Sequence, residues 1–199
     1  MSAPSDQLTS SSMIASLYVQ ALRQGLALWF KVTSGSMRPL LAIGSEVYIS
    51  PVPAQLLQIG DIAAFETSQG VVVHRIVACR RHGSTMQFLQ MADVDLYPSW
   101  IEDDAVVGRV IAVRQESTCI DLQHPLAKRL GRATAHLRYW LAQRMRHRHL
   151  RGVLHACSRV VAHLQYRLVQ KVCLSWLISD EVPYANTISE QEKEYAATE

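Results

Sequence analysis

The chain has 199 residues, of which 49% are hydrophobic and 19% are charged, and its formal net charge is +3. This composition excludes disorder for most of the length and is sufficient for one domain with its own core. The four cysteines are widely spaced and lack the CxxC pattern of a zinc site, so we interpret them as reduced thiols of a cytoplasmic protein.

The N-terminal segment, residues 1–30, begins with a polar, serine-rich stretch that lacks the features of a secretory signal. Apolar residues then recur at helical spacing, which predicts an amphipathic helix over residues 13–32, capped by Ser11 or Ser12. A membrane span needs roughly 20 apolar residues, and polar side chains such as Arg23 interrupt them here, so a span is the least favoured interpretation. A helix packed on its own domain and a helix resting on a membrane surface are equally favoured.

In residues 31–115 the sequence consists of short β-like runs separated by glycine-containing turns. This pattern predicts a mainly β domain built on an antiparallel sheet. The predicted strands are Val47–Ile49, Ile62–Phe65, Val71–Val77, Met86–Leu89 and Val106–Val113. Loops above such a rigid sheet are suited to carry reactive side chains.

A serine-containing turn follows the first apolar run, with the sequence Thr33-Ser34-Gly35-Ser36-Met37-Arg38-Pro39-Leu40. A serine hydroxyl becomes an effective nucleophile only when a general base lies within hydrogen-bonding reach. No lysine occurs between Lys31 and Lys128, and among the histidines of that interval only His74 lies in a β-like run. Ser36 and His74 are therefore a candidate nucleophile and base, although each residue taken alone is more often structural.

Five blocks of sequence, in this order, resemble the signal peptidase I group of serine proteases, in the branch that uses histidine as its base. The blocks are Ser34–Leu40, Ile59–Ile62, Val73–Val77, Phe88-Leu89 ahead of Ala92-Asp93, and Val106–Val110. This branch is found in the endoplasmic reticulum, archaea and spore-formers, and the resemblance covers about residues 31–114. It implies a mainly β catalytic domain of the signal peptidase type that hydrolyses peptide bonds without a metal or a cofactor.

The resemblance also implies roles for individual residues. Ser36 matches the nucleophile and His74 the general base, while Ser34 matches a hydroxyl that helps the backbone NH of Ser36 to bind the oxyanion. The chemistry is consistent with this, because an imidazole with an unperturbed pKa of about 6.5 is largely neutral at pH 7 and can accept the serine proton.

The acidic block departs from the family pattern. Asp93 matches the first of two family aspartates, but Ser99 stands where the second, which orients the base, is expected. Three interpretations stay open: Asp93 or Asp95 replaces that acid, the serine and the histidine act as a dyad, or the chain is a degenerate relative. Arg75 is expected to be a solvated flank of the candidate base.

Beyond Cys119 the chain changes character, since no acidic residue but eleven lysines and arginines and six histidines occur between Asp121 and Asp180. Helical spacing of apolar residues predicts two or three basic amphipathic helices over residues 120–178, with a break near Gly152. The predicted apolar face of the first helix contains Leu126, Leu130, Leu137, Trp140 and Leu141. Residues 179–199 are acidic and predict a flexible tail.

Basic amphipathic helices suit an anionic membrane surface, at about 1 kcal/mol for each cation near the headgroups. A plain helical extension packed on the catalytic domain is equally favoured. An acidic peptide or protein partner is less favoured, and nucleic acid is least favoured because no helix-turn-helix is recognisable.

We therefore expect a serine endopeptidase that cleaves a precursor or leader peptide after small residues through an acyl-enzyme at Ser36. Its expected location is the cytoplasm, either free or at the inner face of the membrane. The alternative is a weak or inactive peptide-binding module with the same fold, recruited by its basic helices.

Overall fold

The computed structural model of the protein describes residues 5–68, 70–115 and 118–144, and also positions 156, 160, 163, 164 and 166–168. In the three continuous ranges the chain forms two α-helices, two 3-10 turns and eight strands. The helices are α1 (Ser5–Arg23) and α2 (Pro125–Arg144), and the 3-10 turns are Ala54–Leu56 and Asp103–Ala105. The strands are β1 (Leu28–Lys31), β2 (Glu46–Ser50), β3 (Ile62–Thr67), β4 (Gly70–His82), β5 (Thr85–Met91), β6 (Ser99–Glu102), β7 (Val106–Gln115) and β8 (Thr118–Asp121).

The eight strands form one antiparallel sheet in the order β1-β2-β7-β3-β4-β5-β6, with β8 paired to the second half of β7. The prediction of a mainly β protein is thereby confirmed. All five predicted strands occur, and each extends beyond its predicted bounds. The strands β1, β6 and β8 were not predicted, because four residues are too few to show a clear alternation of apolar and polar side chains.

The N-terminal helix is present, but its predicted bounds are wrong at both ends. It begins at Ser5 and ends at Arg23 rather than continuing to residue 32. Gly25 has a φ of 88°, and the NH of Leu26 donates to the carbonyl of Ala21 at 3.0 Å. This is the Schellman arrangement that ends many helices, and the chain then enters β1.

Helix α1 packs on the sheet through Val19 and Leu22, which are almost fully buried. Ile14 and Leu17 are 52% and 58% exposed, although they recur at helical spacing with Leu22. Among the described residues, no helix combines the length and the apolar character that crossing a membrane requires.

Helix α2 packs against β4 with a face of mostly small residues, and this face differs from the predicted one. Its buried members are Ala127, Gly131, Thr134, Ala135, Arg138 and Leu141. Leu126, Leu137 and Trp140 are partly exposed, so the prediction that they form the packed face with Leu141 is wrong. Small residues are required because the helix backbone closely approaches Gly60, where an added Cβ would lie 2.5 Å from the backbone nitrogen of Arg132.

Most of the predicted basic helical region beyond α2 lies outside the described residues. So do the predicted break near Gly152 and the acidic tail of residues 179–199. Of the described positions there, Tyr166 packs against the core, and its hydroxyl donates to Oε1 of Gln115 at 3.0 Å.

The two faces of the sheet carry separate parts of the core. Beneath α1, α2 and the loop of residues 32–45, one face contributes Ile62, Ala64, Val71, Val73 and Val77. The opposite face contributes Ala63, Phe65, Ile76 and Phe88, packed against Leu57. Because successive residues of a strand point to opposite faces, His74 and Arg75 of β4 are directed into different environments.

Candidate active site

Ser36 lies in the loop between β1 and β2, and the backbone is held on both sides of it. Met37 and Leu40 are buried in the core. The carbonyl oxygen of Ser36 accepts a hydrogen bond from the NH of Val94 at 3.0 Å. Ser36 is thereby attached to the loop of residues 92–98, which connects β5 to β6.

The predicted oxyanion residue lies beside the predicted nucleophile. The Oγ atoms of Ser34 and Ser36 are 3.3 Å apart, and either hydroxyl can donate to the other. Ser34 is exposed and Ser36 is half-buried. One substrate carbonyl group placed at this turn could contact both hydroxyls, although the oxyanion role itself stays a prediction.

His74 is hydrogen-bonded to a neutral polar side chain on the adjacent strand β5, which is in turn bonded to a neutral side chain on β6. Its Nδ1 is hydrogen-bonded to Oε1 of Gln90 on β5, and Nε2 of Gln90 donates to Oγ of Ser99 on β6. The strand register explains the arrangement, because Ile76 is paired with Gln90 and Gln90 with Ser99. His74, Gln90 and Ser99 therefore lie on one face of three adjacent strands.

The pKa of His74 is lowered from its usual value of 6.5, chiefly because burial disfavours the charged imidazolium. The hydrogen bond with Gln90 and the negative charges of Asp95 and Asp93 oppose this effect without overcoming it. Burial therefore favours the neutral ring, which is the state that a general base requires.

Asp93, predicted to support the base, belongs to a buried ion cluster with Arg75 and Arg138. Nε and Nη2 of Arg75 donate to its two carboxylate oxygens at 2.9 and 2.7 Å. Nε of Arg138, from α2, lies 3.7 Å from Oδ1 of Asp93. Arg75 is only 1% exposed, so the prediction of a solvated flank is wrong.

Arg138 also binds the backbone of the loop that contains Asp93. Its Nη2 donates to the carbonyl of Ala92 at 2.6 Å and to the carbonyl of Asp95. Helix α2 therefore holds the 92–98 loop on both sides of Val94, the residue that binds Ser36.

Asp95, the predicted alternative acid, is half-buried in this loop. Its Oδ1 accepts a hydrogen bond from the backbone NH of Tyr97 at 3.1 Å. The described contacts of Asp95 include no hydrogen bond to His74, and its influence on the ring is electrostatic. Its role as a supporting acid stays a prediction.

The structure brings Ser36 and His74 to the same loop but does not join them to each other. Within the described part of the chain, the hydroxyl of Ser36 is hydrogen-bonded to Ser34 and the ring of His74 to Gln90. Val94 contacts the backbone of Ser36, while the charges of Asp93 and Asp95 act on His74. The 92–98 loop is thus the element that both candidate residues adjoin.

Sequence reasoning missed Gln90, although it contacts the candidate base directly. The available signal was indirect, since Ser99 was recognised as the position of the second family acid and Gln90 is its strand partner. That pairing becomes visible only when the register of β5 and β6 is known. In the described ranges no three His, Cys, Asp or Glu side chains cluster in a way that could hold a metal ion.

No protein-family model matches the chain, and no curated protein sequence shows significant similarity to it.

Proposed function

We propose that the protein is a serine endopeptidase of the signal peptidase type, with Ser36 as nucleophile and His74 as general base. The observation that carries the proposal is that both residues adjoin one loop. Val94 binds the carbonyl of Ser36 at 3.0 Å, and the charge of Asp95 acts on a histidine that burial keeps neutral. A half-buried neutral imidazole near a loop serine supports general-base chemistry.

In the proposed reaction, Oγ of Ser36 attacks the carbonyl carbon of the scissile peptide bond while His74 accepts the hydroxyl proton. The backbone NH of Ser36 and the hydroxyl of Ser34 donate to the oxyanion that develops. His74 then protonates the leaving amine as the carbon–nitrogen bond breaks. Water, deprotonated by the same ring, hydrolyses the ester and restores Ser36.

In the free protein the Ser36 hydroxyl lies 3.3 Å from that of Ser34. The proposed mechanism requires that substrate binding bring the Ser36 hydroxyl within hydrogen-bonding reach of His74. Catalytic hydrogen bonds commonly form or shorten only in the substrate complex, so the unliganded geometry is compatible with the proposal.

The proposed substrate is an extended precursor or leader peptide, cut after a small residue such as alanine. Exposed apolar side chains on the two loops that meet at Ser36 support an extended partner. These are Ile43, which is 54% exposed, and Val94 and Tyr97, which are 39% and 66% exposed. The proposed location is the cytoplasm, with the basic helices as the part that could attach to an anionic membrane surface; nucleic acid is not a proposed partner.

The test compares wild type with Ser36→Ala, His74→Ala and the control Ser84→Ala, an exposed serine in the turn between β4 and β5. Each full-length protein is incubated with a library of leader peptides that contain small residues, and products are identified by mass spectrometry. Loss of the nucleophile or the base should reduce cleavage roughly 10⁴-fold or more, whereas Ser84→Ala should cleave normally. Cleavage that survives in Ser36→Ala would refute the proposed nucleophile.

A peptide-binding module without catalysis is the second candidate, and the engagement of Asp93 by two arginines favours it. A ring without a hydrogen-bonded carboxylate has less support for its charged form. This candidate predicts that wild type and Ser36→Ala bind leader peptides equally well in calorimetry and that neither cuts them. A fluorophosphonate adduct at Ser36 would contradict it.

A further inference from the structure

We propose that Gln90 positions His74: its side-chain oxygen holds the ring in the tautomer protonated at Nδ1, so that Nε2 is the basic nitrogen. The catalytic consequence of this inference rests on the proposed function, because a ring held in this way presents Nε2 to Ser36 when a substrate is bound. An uncharged amide then performs the orienting role that a carboxylate performs in most serine proteases.

The amide group of Gln90 binds a different partner at each of its two ends. A glutamine side chain has one end that donates and one that accepts hydrogen bonds. The Nε2 end of Gln90 donates to Oγ of Ser99, so the oxygen end faces His74. An oxygen can only accept, so Nδ1 must carry the proton and Nε2 the free electron pair.

The side chain of Gln90 is held rigidly. Gln90 is half-buried in the middle of three paired strands, directly opposite Ile76 on one side and Ser99 on the other. The side chain is anchored at both ends of its amide. Ser99 stands at the position of the second family aspartate, and its oxygen accepts a hydrogen bond from the side-chain amide of Gln90. An aspartate at this position would bind the ring directly, whereas Ser99 acts on it through Gln90.

The charged groups that act on the ring come from one loop. Asp93 and Asp95 are the charged residues that act on His74, and both belong to the 92–98 loop. The two carboxylates have other hydrogen-bond donors, Arg75 for Asp93 and the Tyr97 NH for Asp95. The neighbouring strand residues are uncharged, Ala63 on β3 and Gln90 on β5.

An amide in place of a carboxylate has a distinct chemical consequence. A carboxylate against the ring would stabilise the imidazolium and raise its pKa, whereas an amide fixes the direction of the ring without that charge. His74 should therefore remain an available base at lower pH than the base of an acid-supported triad. The transition state, in which the ring is charged, should in turn be less stabilised.

The experiment measures the ring directly by nitrogen-15 NMR of the histidine-labelled full chain, with His74→Gln used to assign its signals. Wild type should show a protonated Nδ1, an unprotonated Nε2 and a pKa below 6.5. Gln90→Glu should keep the tautomer and raise the pKa by about one unit or more. Gln90→Leu should abolish the tautomer preference. Gln87, on the same strand but bonded to Glu102, supplies the control, since Gln87→Leu should leave the His74 signals unchanged.

Activity is then measured against pH with a cleaved peptide. The acid limb of kcat/KM should move to higher pH in Gln90→Glu, and kcat should fall at least about tenfold in Gln90→Leu with little change in KM.

A wild-type ring protonated at Nε2, or a ring in Gln90→Leu that is unchanged in tautomer and pKa, would overturn the role of Gln90. If the NMR results hold but no peptide is cut, the positioning stands and the protease proposal fails. If cleavage needs Ser36 but is the same in wild type and Gln90→Leu, the protease proposal stands and the positioning role of Gln90 is refuted.

Discussion

Two consecutive residues of β4, His74 and Arg75, have opposite kinds of polar partner on the two faces of the strand. His74 is half-buried against the neutral amide of Gln90, and burial lowers its pKa. Arg75 is almost fully buried against the carboxylate of Asp93, with the guanidinium of Arg138 on the same carboxylate. Arg75 therefore has a charged partner, whereas the candidate base next to it has an uncharged one.

The largest expected effect on stability comes from removing the negative charge of Asp93, which lies between the buried side chains of Arg75 and Arg138. Asp93→Asn removes the carboxylate that two buried guanidinium groups share, and breaking a buried pair in this way costs about 3–5 kcal/mol. Urea unfolding of the full chain should show this loss of stability. The control is Glu66→Gln, which breaks the exposed pair with Arg23 and should cost less than about 1 kcal/mol. Equal losses in both variants would contradict the importance of the buried cluster.

A smaller difference between variant and control is expected where α2 meets the sheet on the same face. Gly60 and Gly44 both have positive φ, at 99° and 89°, so alanine at either position carries strain of about 1–3 kcal/mol. Only at Gly60 would the new Cβ meet helix backbone, 2.5 Å from the nitrogen of Arg132, whereas nothing lies within 4 Å at Gly44. Gly60→Ala should therefore lower the free energy of unfolding by about 1–3 kcal/mol more than Gly44→Ala. If the two thermal melts shift equally, α2 does not pack this closely.

The smallest effect is expected on the His74 face, in the dependence of stability on pH. Because burial places the folded-state pKa of His74 below 6.5, the unfolded chain binds more protons in the interval between the two values. Stability should thus be complete above about pH 6.5, fall as the pH decreases through that interval, and level off below the folded pKa. His74→Gln should remove this part of the slope in urea titrations at several pH values. An unchanged slope in that variant, or an equal change in the control His82→Gln, would exclude His74 as its source.

The sheet could largely be predicted from local pattern, and the failures have physical causes. The strands β2, β3, β4, β5 and β7 each contain an apolar run bounded by turn residues, which is a recognisable strand pattern. The short strands β1, β6 and β8 are strands mainly because a longer neighbour pairs with them. The end of α1 could have been predicted, since Gly25 is the residue type that adopts the left-handed conformation of a helix terminus.

The site was less predictable because its contacts link distant parts of the chain. Ser36 and His74 are candidates by their spacing and residue type, and their catalytic roles stay predictions. The burial of Arg75 depends on Asp93 and on Arg138 from a helix that follows the sheet in sequence. An arginine beside a histidine is ordinarily interpreted as solvated, and a glutamine in a strand carries no chemical signature. Only the register of β4, β5 and β6 makes the partnership of Gln90 with His74 apparent.

The contact of Arg138 with the 92–98 loop makes helix α2 part of the smallest fragment that would retain the candidate site. Its guanidinium spans the carbonyls of Ala92 and Asp95, and between them Val94 holds the backbone of Ser36. A fragment cut at residue 115, where the β region was predicted to end, would keep the candidate serine and histidine but discard the part that fixes their shared loop. Helix α2 therefore belongs to the framework of the candidate site, and we expect a fragment without it to lose the fixed position of the 92–98 loop.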